Sequence, residues 1–373
     1  MKFTKFFALL CAATVGFVAC EEKPAPTPEP QGSITLEADK TVVELGESVT
    51  FKVVDSEGQD VTAAASIYDQ NLDKVSNPFT PEASGSYTFN ATIGAESSNN
   101  VTITVLAQMP EIPSDPEKDN LAFNHRVIVI DHTGVNCGYC PMMTESLLLL
   151  EKTEWHKHYN EVTCHAGSMA GGDPGNSAAA NALNEMQRPN GYPNLRINFY
   201  GAEIGNYGGQ NTVNKVVAEF NKCVKEDGAD AGISLAVAGD NTTIYCAPQV
   251  KAAVAQEYKV VAWLLESGIY SPGQAGASKD YHKIYNYALR NISGQYSKAN
   301  VAGESIGVLE AGKTYDCAFQ LPITSTKWNW EEMGVLVIVS AKDAQGRWEV
   351  ANTAYCALEE GGAPASKPYE YVE

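Results

Sequence analysis

The chain has 373 residues, and its 45 acidic and 26 basic side chains give a formal net charge of −19 at pH 7. This length is enough for two or three domains, each with its own hydrophobic core. The acidic balance and the lack of any basic cluster in the sequence argue against nucleic acid as a partner.

Segment 1–19 carries two lysines before an apolar run and ends in a small residue, which is typical of a secretory signal peptide. Cys20 follows at the cleavage point and indicates a lipoprotein signal in which Cys20 is acylated; an ordinary signal peptide with an incidental cysteine is the alternative. Residues 20–32 are rich in proline and acidic residues and predict a lipidated tether. We therefore expect membrane attachment through the lipid, and a compartment in which disulfides form.

Residues 33–106 predict a small β domain. Stretches such as SITLEADKTVVELGESVTFKV and NNVTITVLA alternate apolar and polar residues with the period of a strand. Short strands rich in aromatic and β-branched residues indicate an immunoglobulin-like sandwich. The segment has no titratable cluster, which favours a spacer or a binding module. A proline-rich, acidic linker is predicted at 107–120.

Residues 121–228 predict an α/β domain. The apolar run Val127–Ile130 is typical of a strand that is buried on both faces, and it leads directly into DHTGVNCGYCPMM. Apolar residues then recur at helical spacing, and strand and helix patterns alternate through the rest of the segment.

Residues 229–358 predict a C-terminal β-sandwich-like domain, followed by a tail at 359–373. GISLAVAGDNTTIYCAP and GVLVIVSAKDAQGRWEVANTAYCAL each have the pattern of a hairpin, and the segment between them predicts a short helix or a long loop. The predicted fold class is therefore multidomain, with an immunoglobulin-like β-sandwich, a central α/β domain and a second β domain.

Three interpretations of the motif Cys137-x-x-Cys140 are open. A zinc site needs four ligands, and no second cysteine pair is present, while His156 and His158 would point in different directions on a helix. A structural disulfide is the second interpretation, although closing so short a loop stabilises a fold weakly. A redox couple explains more residues, because Cys137 lies between a strand and a helix, where unpaired backbone N–H groups lower a thiol pKa. We predict no metal and no cofactor.

The order of strand, Cys-x-x-Cys and helix resembles the thioredoxin superfamily. Asp131 lies six residues before Cys137, where that family has a buried acid that relays a proton, and GYPNLRINF resembles the family's cis-proline loop. The resemblance implies a thioredoxin-like domain in which Cys137 attacks, Cys140 resolves and Asp131 relays the proton. It implies that Tyr192 and Pro193 bind substrate. A turn residue at 131 and an ordinary loop proline at 193 are the alternatives.

The complete arrangement is similar to the outer-membrane-protein-28-related lipoproteins of the Bacteroidetes, most closely over residues 121–358. This resemblance implies an outer-membrane lipoprotein of the cell envelope. Glu21 and Glu22 fit a surface-export signal in such bacteria, or a solvated start to the tether. In that family the fold is better supported than any activity.

Two functions therefore stay open at the level of sequence. One is a thiol-disulfide oxidoreductase or isomerase that acts on protein thiols or disulfides. The other is a non-enzymatic surface binding or adhesion protein, in which the thioredoxin-like unit is a scaffold and the partner is a surface ligand. The sequence does not fix the substrate, the electron donor or the oligomeric state.

Five further cysteines form an odd set, so we expect at least one of them to be free or paired with another molecule. Cys246, Cys317 and Cys356 lie on predicted strands, and a bridge between two of them would join the sheets of the last domain. Cys164 and Cys223 are predicted to be buried thiols that pack as small apolar groups.

Overall fold

A computed structural model of the protein describes residues 34–40, 42–82, 85–106, 109–294 and 301–372. The predicted signal peptide, the lipidation site Cys20 and the tether lie outside the described residues. The chain divides into two compact units, Met1–Gln108 and Met109–Glu373. Both are rich in β-strands, and within the described residues no helix is long and apolar enough to cross a bilayer.

The described residues of the first unit form a small structure built mainly of β-strands. Its strands are β1 (Ile34–Ala38), β2 (Val42–Glu44), β3 (Phe51–Asp55), β4 (Ser66–Tyr68), β5 (Gly85–Ile93), β6 (Glu96–Ser97) and β7 (Val101–Leu106). β1 pairs with β3, and a second sheet has the order β2-β7-β5-β4 with β6 beside β5. Apolar side chains of both sheets, such as Val53, Phe89 and Ile103, form its core.

The second unit holds three helices and sixteen strands among its described residues. The helices are α1 (Cys140–Leu150), α2 (Ala178–Gln187) and α3 (Gln210–Cys223). The strands are β8 (Val127–Thr133), β9 (Tyr159–His165), β10 (Asn194–Ile197), β11 (Glu203–Gly205), β12 (Ala231–Gly239), β13 (Thr243–Ala252), β14 (Gln256–Glu266), β15 (Ile269–Tyr270), β16 (Ile284–Tyr285), β17 (Ala288–Ile292), β18 (Glu304–Leu309), β19 (Thr314–Asp316), β20 (Phe319–Pro322), β21 (Met333–Lys342), β22 (Trp348–Ala357) and β23 (Ala365–Lys367).

One long sheet runs through the second unit, in the order β11-β10-β8-β9-β17-β14-β21-β22, with β18 also paired to β14. A second sheet, β19-β13-β12-β23 with β20 beside β13, packs against the β14-β21-β22 end of the long sheet. The predicted division into separate domains at 121–228 and 229–358 therefore differs from the structure. The reason is β17, which pairs in parallel with β9 and antiparallel with β14 and so joins the two segments into one sheet.

Residues 109–120 of the predicted linker and residues 359–372 of the predicted tail also belong to the second unit. Lys251 is 2% exposed, and its Nζ donates to Asp115 Oδ2 at 2.8 Å and to the carbonyl of Lys118 at 2.6 Å. The rings of Phe123, Tyr369 and Tyr371 surround the same ammonium group at 5.7 to 6.0 Å. These contacts replace the hydration that the buried ammonium group loses. Lys251 therefore connects residues of both predicted connecting segments to β13.

The helices cover both faces of the β10-β8-β9 end of the long sheet. Val127 and Val129 of β8 pack with α1 and α3, whereas Ile128 and Ile130 pack with α2. Because side chains alternate along a strand, Asp131 lies on the same face as Val127 and Val129 and points toward α1. The buried apolar run of β8 thus places one acidic side chain between the sheet and the helix that follows the cysteine motif.

Candidate functional site

The two cysteines of the motif form a disulfide with an S–S distance of 2.01 Å, between the end of β8 and the first residue of α1. The backbone N–H of Cys140 donates to the carbonyl of Cys137 at 3.3 Å. Pro141 occupies the first turn of α1, where the missing N–H removes no helical hydrogen bond. Cys137 and Cys140 are only 3% and 2% exposed, whereas Tyr139 between them is 71% exposed.

One loop fixes the backbone before the disulfide from the side of β9. The N–H of Asn136 donates to the carbonyl of Met169 at 3.0 Å, and the N–H of Val135 donates to Asp173 Oδ2 at 2.6 Å. Both acceptors belong to residues 167–176, which lie between β9 and α2. Here they form a fixed loop around the motif.

A second segment, residues 271–283, covers the motif from the other side, and we call it the strap. The N–H of Ala275 donates to the carbonyl of Val135 at 2.8 Å, and Gln274 Nε2 donates to the carbonyl of Cys137 at 3.1 Å. Lys279 Nζ lies 2.8 Å from Glu145 Oε1 and so ties the strap to α1. The strap explains why so little of the disulfide is exposed.

The strap requires glycine at position 276. Gly276 has a φ of +71°, and a Cβ built there would lie 2.0 Å from the carbonyl oxygen of Gly138, between the two cysteines. Alanine at 276 would therefore be strained twice, by its backbone conformation and by this contact. Gly273, also in the strap, has ordinary space, since its nearest Cβ neighbour would be Val135 Cγ2 at 3.9 Å.

We expect Gly276→Ala to speed reduction of the Cys137–Cys140 disulfide about tenfold, because about 1.4 kcal/mol of strain in the closed strap raises the open population by that factor. The measurement is the rate of reduction by a bulky phosphine, followed by alkylation and mass spectrometry of the motif peptide. Gly273→Ala is the matched control and should reduce at the wild-type rate. Equal rates for the two variants would show that the strap does not limit access.

A cavity of about 360 Å³ lies between α1 and the sheet, next to the disulfide. Its floor is built by side chains from one face of β8 and β9; these are Asp131, Thr133, Glu161, Thr163 and His165. Cys140 is among the lining residues and Cys137 is not. A row of polar groups therefore occupies a helix–sheet interface that would ordinarily be apolar, which is typical of a functional pocket.

Two carboxyl groups of this floor have no hydrogen-bonding or ion-pair partner among the described residues. Asp131 is 3% exposed, and its Oδ1 is buried without a partner. Burial raises the pKa of Asp131 to about 7. Glu161 is partly buried on the neighbouring strand, where burial, followed by the nearby charge of Asp131, raises its pKa to about 8. Both groups are therefore placed to take up or release protons near neutral pH.

Sequence reasoning missed an acid–histidine pair beside the disulfide. His165 Nδ1 lies 2.9 Å from Asp173 Oδ2, and both side chains are buried. Burial would raise the pKa of Asp173, but hydrogen bonds from His165 and from the N–H groups of Gly175 and Val135 outweigh it and lower that pKa. The available signal was the position of His165 at the carboxyl end of a parallel strand, where sites in α/β sheets collect.

The structure also brings Tyr192 and Pro193 to this edge of the sheet. Their peptide bond is cis. Asn194 pairs with His132 across β10 and β8, so Pro193 lies beside the end of the strand that leads into the cysteine motif. The hydroxyl of Tyr192 donates to Asn184 Oδ1 at 2.8 Å. Asp131 and Cys140 thus line the same cavity, and the proline loop lies beside the end of the strand that holds Asp131.

The five other cysteines among the described residues are free thiols, and three of them are buried. The inter-sheet bridge considered for Cys246, Cys317 and Cys356 is therefore not formed. Burial raises the pKa of Cys246 well above its usual value, as expected for a thiol that packs as an apolar group. Among the described residues, no group of three or more histidine, cysteine or acidic side chains is arranged to hold a metal ion.

No protein-family model and no curated protein matches the chain. Among solved structures, the chain is similar to HBP35 of Porphyromonas gingivalis, with a TM-score of 0.52 and 14% identity over 64% of this chain and 76% of that chain. It also matches the Yersinia pseudotuberculosis adhesin InvE at a TM-score of 0.19, with 9% identity over 87% of this chain and 57% of that chain. The likeness to HBP35 shows a related fold, and the second score is too low to support an argument.

Proposed function

We propose that the protein is a cell-envelope lipoprotein that carries out thiol–disulfide exchange through Cys137 and Cys140 on a thioredoxin-like domain. The observation that carries the proposal is Asp131, a buried carboxyl group without a partner on the wall of the cavity that Cys140 also lines. Burying an acid without a partner destabilises a fold, so its presence beside the disulfide favours a chemical role. The raised pKa of Asp131 suits a group that exchanges protons near pH 7.

The proposed exchange proceeds in two displacements. The Cys137 thiolate attacks a substrate disulfide, forms a mixed disulfide and releases one substrate sulfur as a thiolate. Asp131 accepts the proton of Cys140, and the Cys140 thiolate attacks Cys137 Sγ, which releases the second substrate sulfur and forms the Cys137–Cys140 disulfide. Tyr192 and Pro193 would contact the substrate chain, since their loop lies beside the motif.

The proposed location rests on the N-terminal sequence and on the resemblance to outer-membrane-protein-28-related lipoproteins. A signal peptide at 1–19 and acylation of Cys20 would anchor the body to the outer membrane through a lipid, with or without exposure at the cell surface. The fold shared with a Porphyromonas protein supports this assignment at the level of architecture. The partners proposed are protein thiols or disulfides.

A specific observation favours the second candidate function, a non-enzymatic surface binding or adhesion protein. Cys137 and Cys140 are almost completely buried beneath the strap, as a structural bridge would be. In that case the thioredoxin-like unit is a scaffold, and a surface ligand binds elsewhere on the β structure. The two candidates differ in the reduction potential of the disulfide.

The test is an equilibration of the purified protein in glutathione buffers of stepped potential, with alkylation of the Cys137–Cys140 peptide measured by mass spectrometry. We expect a midpoint between about −120 and −270 mV, the range of known exchange catalysts. A disulfide still intact below about −300 mV would contradict exchange and favour the scaffold. The peptides of Cys164 and Cys223 provide an internal control, because free thiols alkylate independently of the buffer potential.

A further inference from the structure

The two cysteines of the disulfide have different surroundings. Cys137 lies under the strap, where Gln274 holds its carbonyl, and is not among the residues that line the cavity. Cys140 lines the cavity. While the strap is closed, a molecule that enters the cavity meets Cys140, and a folded protein partner meets neither cysteine.

The size of the cavity restricts what can enter. A volume of about 360 Å³ is near the lower end of the range for small-molecule sites. It accommodates a small organic thiol but not a loop of a protein. The route to Cys140 therefore selects for a compound of low molecular weight.

The charges of the cavity select for a cation. Asp131 and Glu161 on the floor have no ion-pair partner among the described residues. In contrast, the basic groups of the lining are already bound within the protein. Their contacts are Arg126 with Glu370, His165 with Asp173, His282 with Glu145, and His156 Nδ1 with the carbonyl of Thr153. The groups of the cavity that lack a counter-charge are thus acidic, and each becomes negative when it loses its proton, which a bound cation would favour.

Aromatic side chains also favour a cation in the cavity. Tyr159, Tyr285, Tyr287 and Tyr355 also line the cavity. Carboxylates together with tyrosine rings are the usual environment for an organic ammonium group. Nothing within the protein stabilises the charged forms of Asp131 and Glu161, and a bound ammonium group would do so.

We propose that the cavity binds an amine-bearing thiol of low molecular weight, which supplies electrons to the disulfide by attack on Cys140. This inference rests on the proposed exchange function and names its electron donor by chemical class. The thiolate of the donor attacks Cys140 Sγ, the Cys137–Cys140 bond breaks, and Cys137 leaves as the thiolate that the exchange reaction needs. A second donor thiolate attacks the donor sulfur of the mixed disulfide. It releases Cys140 as a thiolate, which is then protonated, and the two donors leave as their symmetrical disulfide.

The test compares three thiols of different charge on the oxidised protein. Cysteamine, 2-mercaptoethanol and 3-mercaptopropionate are supplied at equal thiolate concentration, and each rate is divided by the rate for the same thiol on an uncharged reference disulfide. We expect cysteamine to exceed 2-mercaptoethanol at least tenfold and 3-mercaptopropionate to be the slowest. Rates in the same ratios as on the reference disulfide would overturn the proposal.

Variants that replace a carboxylate by a neutral amide show which residue causes the preference for cysteamine. Glu161→Gln should reduce the cysteamine preference to less than threefold, whereas Glu185→Gln, which removes an exposed carboxylate on α2, should leave it unchanged. Equal preference in both variants would overturn the assignment to the cavity. Thermal unfolding of each variant verifies that it is folded, and a midpoint potential within the catalytic range verifies that exchange itself still operates.

The sulfur that reacts is identified separately. We expect cystamine to modify Cys140 in the Cys137→Ser variant faster than Cys137 in the Cys140→Ser variant, as measured by peptide mass. The reverse order would overturn the proposal. A wild-type midpoint below about −300 mV would instead remove the exchange function on which this inference depends, so the two failures are distinguishable.

Discussion

Cells that produce the Cys140→Ser variant should accumulate mixed disulfides between Cys137 and partner proteins, and the variant should lose catalytic turnover completely. Without Cys140 no thiolate is available to attack the mixed disulfide, so the first displacement occurs and the second does not. The measurement is recovery of the variant under non-reducing conditions after acid quenching, followed by identification of the attached proteins. Cys223→Ser removes a half-buried free thiol of α3 and should trap nothing.

Because the motif is buried, trapping also requires the strap to open. A partner protein reaches Cys137 only when the strap opens, so the yield of trapped species should rise when Gly276→Ala is combined with Cys140→Ser. Gly273→Ala in the same background should leave the yield unchanged. Absence of trapped protein from both double variants would favour the scaffold function, because access would then no longer explain the lack of reaction.

The local part of the site could be predicted from the sequence. A continuous apolar run, then a turn, then apolar residues at helical spacing indicate a strand followed by a helix, and this places the cysteines between them. Asp131 extends the alternation of Val127 and Val129, so its direction toward α1 follows from the period of a strand.

The parts that could not be predicted all depend on contacts between residues distant in sequence. The strap lies about 140 residues after the motif that it covers, and the groups of the motif that it contacts are the backbone carbonyls of Val135 and Cys137, which have no sequence signature. The pairing of β17 with β9 is hidden for the same reason, since a buried apolar strand does not specify its neighbour. Asp173 lies in a glycine-rich stretch that has no periodic pattern and takes its position from Val135 and His165.

Replacing Asp131 by asparagine should stabilise the protein at alkaline pH and slow the exchange reaction. An aspartate in the unfolded chain has a pKa near 3.8, whereas burial raises the pKa of Asp131 in the folded protein to about 7. Between these values the folded state binds more protons than the unfolded state, so the free energy of unfolding falls as pH rises from about 4 through about 7. A difference of about 3 pH units, at about 1.4 kcal/mol each, amounts to about 4 kcal/mol above pH 7.

The Asp131→Asn variant lacks this loss of stability. Its free energy of unfolding in denaturant titrations should equal that of the wild type near pH 4 and exceed it by up to about 4 kcal/mol at pH 8.5. Asp227→Asn changes an exposed side chain and should alter the free energy of unfolding at neither pH.

Exchange by the wild type should accelerate through pH 7 as Asp131 loses its proton, whereas exchange by the Asp131→Asn variant should be about a hundredfold slower. Glu161 lines the same cavity and its pKa is also raised, so Glu161→Gln is needed to separate its titration from that of Asp131. A variant that is more stable but equally fast would mean that Asp131 is no proton relay, and that its burial has another cause.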